Sequence, residues 1–283
     1  MYRVDDLALA GARTRYRERV VAPGGMAANA LVQAAALGCR AELLSAVGDD
    51  AEGRALLRAL RARGVATRRV ARSPAAATPV ALVLVDRRTG ERRFVVRDRR
   101  ALERGAPRFD LAPVRRGAVV VCDGHFAGRA REALAKARAV GAATVGDYTR
   151  PGRAVLGLVA LTDFPIVPLE FAERFAAGDV RETLRALRAR SGGTPVVTLG
   201  ARGALALVGG RFRRIAPHRV RAVDTTGAGD AFHGAFAAGV ARGLPVLESL
   251  AVASRAGAVA CTALGATARL LGERDLPRGA LGA

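Results

Sequence analysis

Short apolar runs of strand length alternate with amphipathic stretches along most of the chain. Residues 41–47, 119–122, 143–146, 164–167 and 196–199 are nearly continuous in apolar character. Strands buried on both faces need that pattern, and parallel sheets bury both faces. Between them, residues 26–37, 51–63, 128–140, 170–177 and 180–190 place apolar side chains at helical spacing. Strand and helix in alternation predict an α/β fold of three layers, a mostly parallel sheet with helices on both faces. No internal repeat or low-complexity linker interrupts the 283 residues, so a single domain over residues 1–283 is expected.

Three segments break the alternation. Residues 13–21 are charged and alternate like a strand. Residues 79–85 and 92–97 read as two strands joined by Asp86-Arg87-Arg88-Thr89-Gly90-Glu91, a hairpin loop. Residues 204–208 and 211–216 form a second hairpin around Gly209-Gly210.

Composition narrows the reading further. Half of the chain is apolar, enough for a sizeable core, and no apolar run reaches membrane-spanning length. Asp5 and Asp6 near the start, with no apolar stretch after them, give no sign of a signal peptide. Cys39, Cys122 and Cys261 lack metal spacing and read as reduced core residues, so a cytoplasmic protein is expected. The formal net charge of +21 raises a nucleic-acid role. Against it, only Lys136 among the 46 basic residues is a lysine, the arginines are scattered, and aromatics make up 4% of the chain. That points to compositional bias, and neither a nucleic acid nor a membrane is expected as a partner.

The most specific chemistry lies in Asp224-Thr225-Thr226-Gly227-Ala228-Gly229-Asp230-Ala231-Phe232-His233-Gly234-Ala235-Phe236. Gly227, Ala228 and Gly229 form a turn that a ligand can approach closely, and a helix of small residues is expected over 231–241. Free N–H groups and the positive dipole end at its start suit a phosphate. A carboxylate beside a phosphate site is electrostatically unfavourable unless it has a task. For Asp230 that task is to accept a proton from an attacking hydroxyl. His233, one turn further on, reads as a packing residue.

This string resembles the C-terminal signature of the PfkB (ribokinase-like) carbohydrate kinases. Gly24-Gly25-Met26-Ala27-Ala28-Asn29, Leu37-Gly38, Val47-Gly48-Asp49-Asp50 and Gly53 resemble the family's N-terminal signature. The two lie in the right order over nearly the whole chain. The tract Asp123-Gly124-His125-Phe126 and the Cys261-Thr262 end are nearer the ketohexokinase and sulfofructose-kinase branch. The resemblance implies ATP and magnesium, with a monovalent cation as a further option, and a sugar or sugar-like alcohol as acceptor. It implies a small β-lid from about 10–22 and 78–98, through which two copies of the chain would pair.

Residue by residue, the resemblance assigns Asp230 as base and Gly227, Ala228 and Gly229 as anion hole. Gly24, Gly25, Asn29, His125 and Arg15 fall to the acceptor. Thr198, Gly200, Gly203, Thr226, Gly227, Gly229, Ala256 and Gly257 fall to ATP. Ala256 and Gly257 equally suit tight helix packing, and Asn29 equally suits a buried carbonyl. Where the family carries an Asn-x-x-Glu motif that orients a metal-bound water, this chain reads Val167-Pro168-Leu169-Glu170. Glu170 remains, and equally suits a helix surface. Tyr2-Arg3-Val4-Asp5-Asp6 matches the segment just beyond the family's first central strand. That strand, with its sugar-binding Asp, is expected to be missing, through a late start or through loss of function. A nucleoside kinase and a ligand-binding relic are the rival readings.

Overall fold

The computed structural model describes residues 1–5, 15–86, 88 and 92–275. It opens with β1 (Tyr2–Val4), β2 (Tyr16–Arg19) and α1 (Met26–Ala36). Short elements follow: β3 (Ala41–Glu42), β4 (Ala46–Gly48), α2 (Ala51–Arg61), β5 (Val65–Ala66) and β6 (Ala71–Ser73). A hairpin of β7 (Ala81–Asp86) and β8 (Arg92–Val96) leads into α3 (Arg100–Gly105). The chain then alternates through β9 (Val119–Cys122), α4 (Ala127–Val140), β10 (Ala143–Asp147), α5 (Arg153–Val159) and β11 (Phe164–Pro168). Helices α6 (Leu169–Phe175) and α7 (Val180–Ser191) precede β12 (Val196–Thr198) and the hairpin β13 (Ala204–Val208) and β14 (Arg211–Ile215). Two helices, α8 (Ala228–Ala241) and α9 (Val246–Ala260), complete it.

The central sheet has six strands in the order β14-β13-β12-β11-β10-β9. Strands β9 to β12 run parallel, and β13 and β14 are antiparallel. Neighbouring residues on one strand feed opposite cores. Val145, Ile166 and Val196 pack with Phe232, Phe236 and Leu250 of α8 and α9. Val167 and Val197 pack with Leu134, Phe171, Leu184 and Leu187 of the helices on the other face. This is why these strands read as unbroken apolar runs rather than alternating ones. Local signals set the helix ends: Asp50 caps α2 by accepting from Gly53 N at 2.7 Å, and left-handed Gly141 and Gly192 end α4 and α7.

A second sheet runs in the order β2-β1-β7-β8 and takes in the segments expected to form a lid. Strand β1 lies parallel to β7 and antiparallel to β2, and so adds a strand that the sequence did not assign to the lid. Residues 6–14 and most of the β7–β8 loop fall outside the described residues. The run 41–47 is not one strand. Leu43 N donates to Ala66 O and Ala71 N to Ser45 O, both at 2.9 Å, so the chain changes partner from β5 to β6 midway. Among the described residues nothing pairs with the outer edge of β9, and β4 pairs with β6 alone.

Candidate active site

Helices α1 and α8 cross closely because Gly234 carries no side chain: a Cβ there would lie 2.0 Å from Ala30 O. The crossing brings the start of each helix to the carboxyl ends of β9 and β10, where ligands of open α/β sheets bind. Asn29 Nδ2 donates to Asp230 Oδ2 at 2.7 Å, across 201 residues of sequence. Asn29 is buried, and its Oδ1 has no partner, so an acceptor stands ready for a donor from a ligand. At the start of α1, Ala27 N donates to Asp123 Oδ2 at 3.2 Å, while Asp123 Oδ1 accepts from His125 N at 3.0 Å.

The cradle is built more tightly than the sequence suggested. The helix begins at Ala228, three residues earlier than expected, so Gly229 and Asp230 lie in its first turn. Their N–H groups have no intrahelical acceptor. Gly227 holds φ 77°, and a Cβ on it would meet Ala266 Cβ at 2.5 Å. Gly229 is exposed, and a Cβ there would meet nothing within 4 Å, which leaves room for a ligand. Asp224 underpins the turn. Its Oδ1 accepts from Thr226 N at 2.9 Å and Thr226 Oγ1 at 2.7 Å, and its Oδ2 accepts from Gly265 N at 3.0 Å.

Charge is concentrated beneath Asp230. Asp147, the last residue of β10, is 4% exposed, and its Oδ2 has no hydrogen bond. That oxygen lies 3.5 Å from His233 Nδ1, which donates to Gly229 O at 2.7 Å. Burial, reinforced by Asp147, pushes the Asp230 carboxyl up to about 7, although the Asn29 bond and His233 pull it down. Burial and then Asp123 push Asp147 up to about 8. Burial also lowers the His233 imidazole, against the pull of its bond to Gly229 and of Asp230.

The other residues singled out from the sequence are placed unevenly. Gly24 and Gly25 are exposed at the start of α1, and Gly25 holds φ 105°, a conformation other residues rarely adopt. His125 turns to α3, with Nε2 2.5 Å from Arg99 Nη1 and Nδ1 3.6 Å from Glu103 Oε1. Arg15 is exposed just before β2. Thr198 ends β12, and Gly200 opens to solvent at φ 59°. Gly203 is fixed by packing, since a Cβ there would lie 2.1 Å from Ile215 O. Thr226 spends its hydroxyl on Asp224.

For Ala256, which was assigned to ATP or equally to helix packing, the structure shows the packing. It is fully buried against Ala34, Leu37, Ala235 and Ala238, where two helices need a small residue. Gly257 is half-buried beside Ala228 O. Glu170 starts α6 and pairs with Arg174 at 3.1 Å and Arg150 at 3.8 Å. Asp5 pairs with Arg17 at 2.9 Å in the lid. Asp6 lies outside the described residues.

Asp123, Asp147 and Asp224 were not assigned roles from the sequence, and His233 was read as packing. Asp123 follows β9 and Asp147 ends β10, and a carboxylate at the carboxyl end of a parallel strand was the available signal.

A layered α/β fold thus presents a half-buried carboxylate in the first turn of a helix whose leading N–H groups have no intrahelical acceptor. The pfkB family carbohydrate kinase profile matches residues 2–271, and the chain belongs to that family. Fructoselysine 6-kinase of Escherichia coli (strain K12) is 34% identical over 128 residues, 44% of this chain and 47% of that protein. The chain thus matches about half the length of that relative. Fructokinase of Vibrio alginolyticus is 28% identical over 281 residues, 90% of this chain and 91% of that protein. A structure from Agrobacterium tumefaciens, provisionally described as a ribokinase, superposes with a TM-score of 0.90 at 28% identity. It covers 97% of this chain and 91% of that one, and the fold is ribokinase-like.

Proposed function

We propose that the protein transfers a phosphoryl group from ATP to a hydroxyl of a sugar or sugar-like small molecule. The observation that carries this reading is Asp230: a carboxylate held by Asn29 at 2.7 Å, raised toward neutral pH, in the first turn of the helix that forms the cradle. A base poised near the working pH combines a useful deprotonated fraction with useful proton affinity.

The acceptor would lie against Gly24 and Gly25, with one hydroxyl donating to the unpartnered Asn29 Oδ1. Asp123 supplies a further carboxylate beside the start of α1. The reacting hydroxyl gives its proton to Asp230 as its oxygen bonds to the γ-phosphorus, and the bond to the leaving ADP oxygen breaks. The N–H groups of Gly229 and Asp230, with the α8 dipole, stabilise charge on the transferred group. Among the described residues no cluster of three or more His, Cys, Asp or Glu could hold a metal directly. That suits magnesium bound mainly by phosphates and water, with Glu170 reaching it through water. When bound, the ion supplies charge neutralisation.

The test is ATP consumption across hexoses, ketoses, sugar acids, sulfosugars, Amadori-type amino sugars and nucleosides. At least one non-nucleoside acceptor is expected to support turnover, and Asp230→Asn to lower it by roughly 10²–10⁴ while ATP still binds. Turnover confined to nucleosides, or near-normal turnover in the variant, would overturn the reading.

A further inference from the structure

The central sheet has two faces, and the cradle belongs to one of them. On that face Ala204, Ala206 and Ile215 pack with Phe232, Phe236 and Leu250 of α8 and α9. On the other, Leu205 and Phe212 pack with Leu184 and Leu187 of α7. A cavity of about 500 Å³ opens beside this second face, between the start of α7, the turn after β12 and the β13–β14 hairpin. Val180, Leu199 and Leu205 give it apolar walls. Three guanidiniums line the rest, each from a different element: Arg181 from α7, Arg202 from the turn and Arg214 from β14. Leu205 and Arg214 are directly paired across the hairpin, so their side chains share a face.

The three cations have no acid to offset them. None forms an ion pair among the described residues. Asp179, the one carboxylate in the lining, caps α7 instead, its Oδ1 accepting from Arg181 N and Glu182 N at 2.9 Å each. Arg181 is held by stacking: its guanidinium lies 5.1 Å from the centre of the Phe212 ring. Arg185 lies 5.4 Å from the same ring and turns to Glu182 at 3.4 Å. Stacking fixes a guanidinium without spending its N–H donors, so the Arg181 fork stays free for an anion. Compositional bias supplies arginines, but it does not turn three of them from separate elements onto one concave surface. Like charges gathered there repel until an anion enters, and the forked donors match the oxygens of a phosphate.

We propose that this cavity binds a small phosphate-bearing anion, at a site separate from the cradle. The phosphate oxygens accept from Arg181, Arg202 and Arg214, and the body of the ligand lies on Leu199 and Leu205. An occupant ties α7 to the turn after β12 and to β14. No bond is made or broken there, and binding does not depend on Asp230 being the base.

The probe is inorganic pyrophosphate at 0.15 M salt, where attraction to a chain of formal charge +21 is screened beyond about 8 Å. In the wild type, amide shifts are expected at 178–181 and 199–202, separately from any at 227–230. Affinity is read in Gly229→Val, whose side chain obstructs the cradle. Adding Arg202→Glu and Arg214→Glu is expected to weaken binding tenfold or more. Adding Arg58→Glu and Arg131→Glu instead removes the same charge from exposed positions on α2 and α4, and is expected to change it little. ADP and a hexose bisphosphate, titrated in the same way, distinguish a nucleotide from a phosphorylated sugar as the source of the phosphate. Equal losses in the two charge-reversed proteins, or no loss for any of the three anions, would overturn the proposal. So would wild-type amide shifts confined to 227–230 or spread over arginines elsewhere, a result that stands even if a variant fails to fold. Failure of the transfer reading would show separately, as an active Asp230→Asn enzyme.

Discussion

At the scale of single residues, the site stores its chemistry as instability. Asp147 and Asp230 both have carboxyls raised in the folded state, to about 8 and about 7, chiefly by burial. In the unfolded chain both would titrate near 3.9. Between those limits the folded state binds more protons than the unfolded one, so stability falls as pH rises. The contribution is fully present below about pH 4 and is lost by about pH 8. Asn cannot ionise, so Asp147→Asn is expected to raise the melting temperature at pH 8 and to change it less at pH 5. Thermal melts of the apo protein at both pH values check this. An equal shift at both would mean that packing, not charge, sets the cost. The same residues show what the sequence could and could not reveal. Asp230 was legible because its neighbours in sequence form the cradle. Asp147 was not, because its meaning depends on β10 lying under α8, a contact made 83 residues later in the chain.

At the scale of elements, two glycines two positions apart at the α8 start should separate fold from function. Gly227 is held at φ 77° with Ala266 where a Cβ would go, so Gly227→Ala is strained and crowded at once. It is expected to cost about 1–3 kcal/mol of stability by overpacking alone and to lower turnover with it. Gly229 faces open space, so Gly229→Val should leave the melting temperature nearly unchanged while its side chain intrudes on the phosphate position. Turnover is expected to fall at least tenfold. Denaturation and single-turnover kinetics on the two variants check the contrast, and normal kinetics in folded Gly229→Val would remove the phosphate from this cradle. The elements themselves were largely legible. Parallel strands buried on both faces leave contiguous apolar runs, and Gly141, Gly192 and Asp50 punctuate helices by local geometry. The 41–47 run misled because a change of strand partner leaves no mark on hydropathy. Ala256 stayed ambiguous for a related reason: a small residue looks the same whether it meets a ligand or another helix.

At the scale of the whole molecule, the sheet β2-β1-β7-β8 carries most of the exposed large apolar side chains among the described residues. On the β7–β8 hairpin, Leu82 and Val95 stand directly opposite one another and are 40% and 62% exposed. Val83 and Val85, on the other face of β7, are buried. Among the described residues nothing covers this apolar pair, and a second copy of the same sheet would cover it through an isologous contact. Charge works against that contact. Each chain carries a formal +21, so two copies repel at low ionic strength, and the repulsion is screened once the Debye length falls to about 8 Å near 0.15 M salt. The lid-paired dimer is therefore expected to strengthen with salt, as a burial-driven contact does when like charges are screened, whereas a contact made by ion pairs would weaken. Leu82→Glu with Val95→Glu should shift the protein to monomer at every salt concentration without altering its fold. Sedimentation equilibrium from 0.05 to 0.5 M salt on both proteins decides it. A monomer throughout, or a dimer that the double substitution leaves intact, would place any self-association elsewhere on the surface.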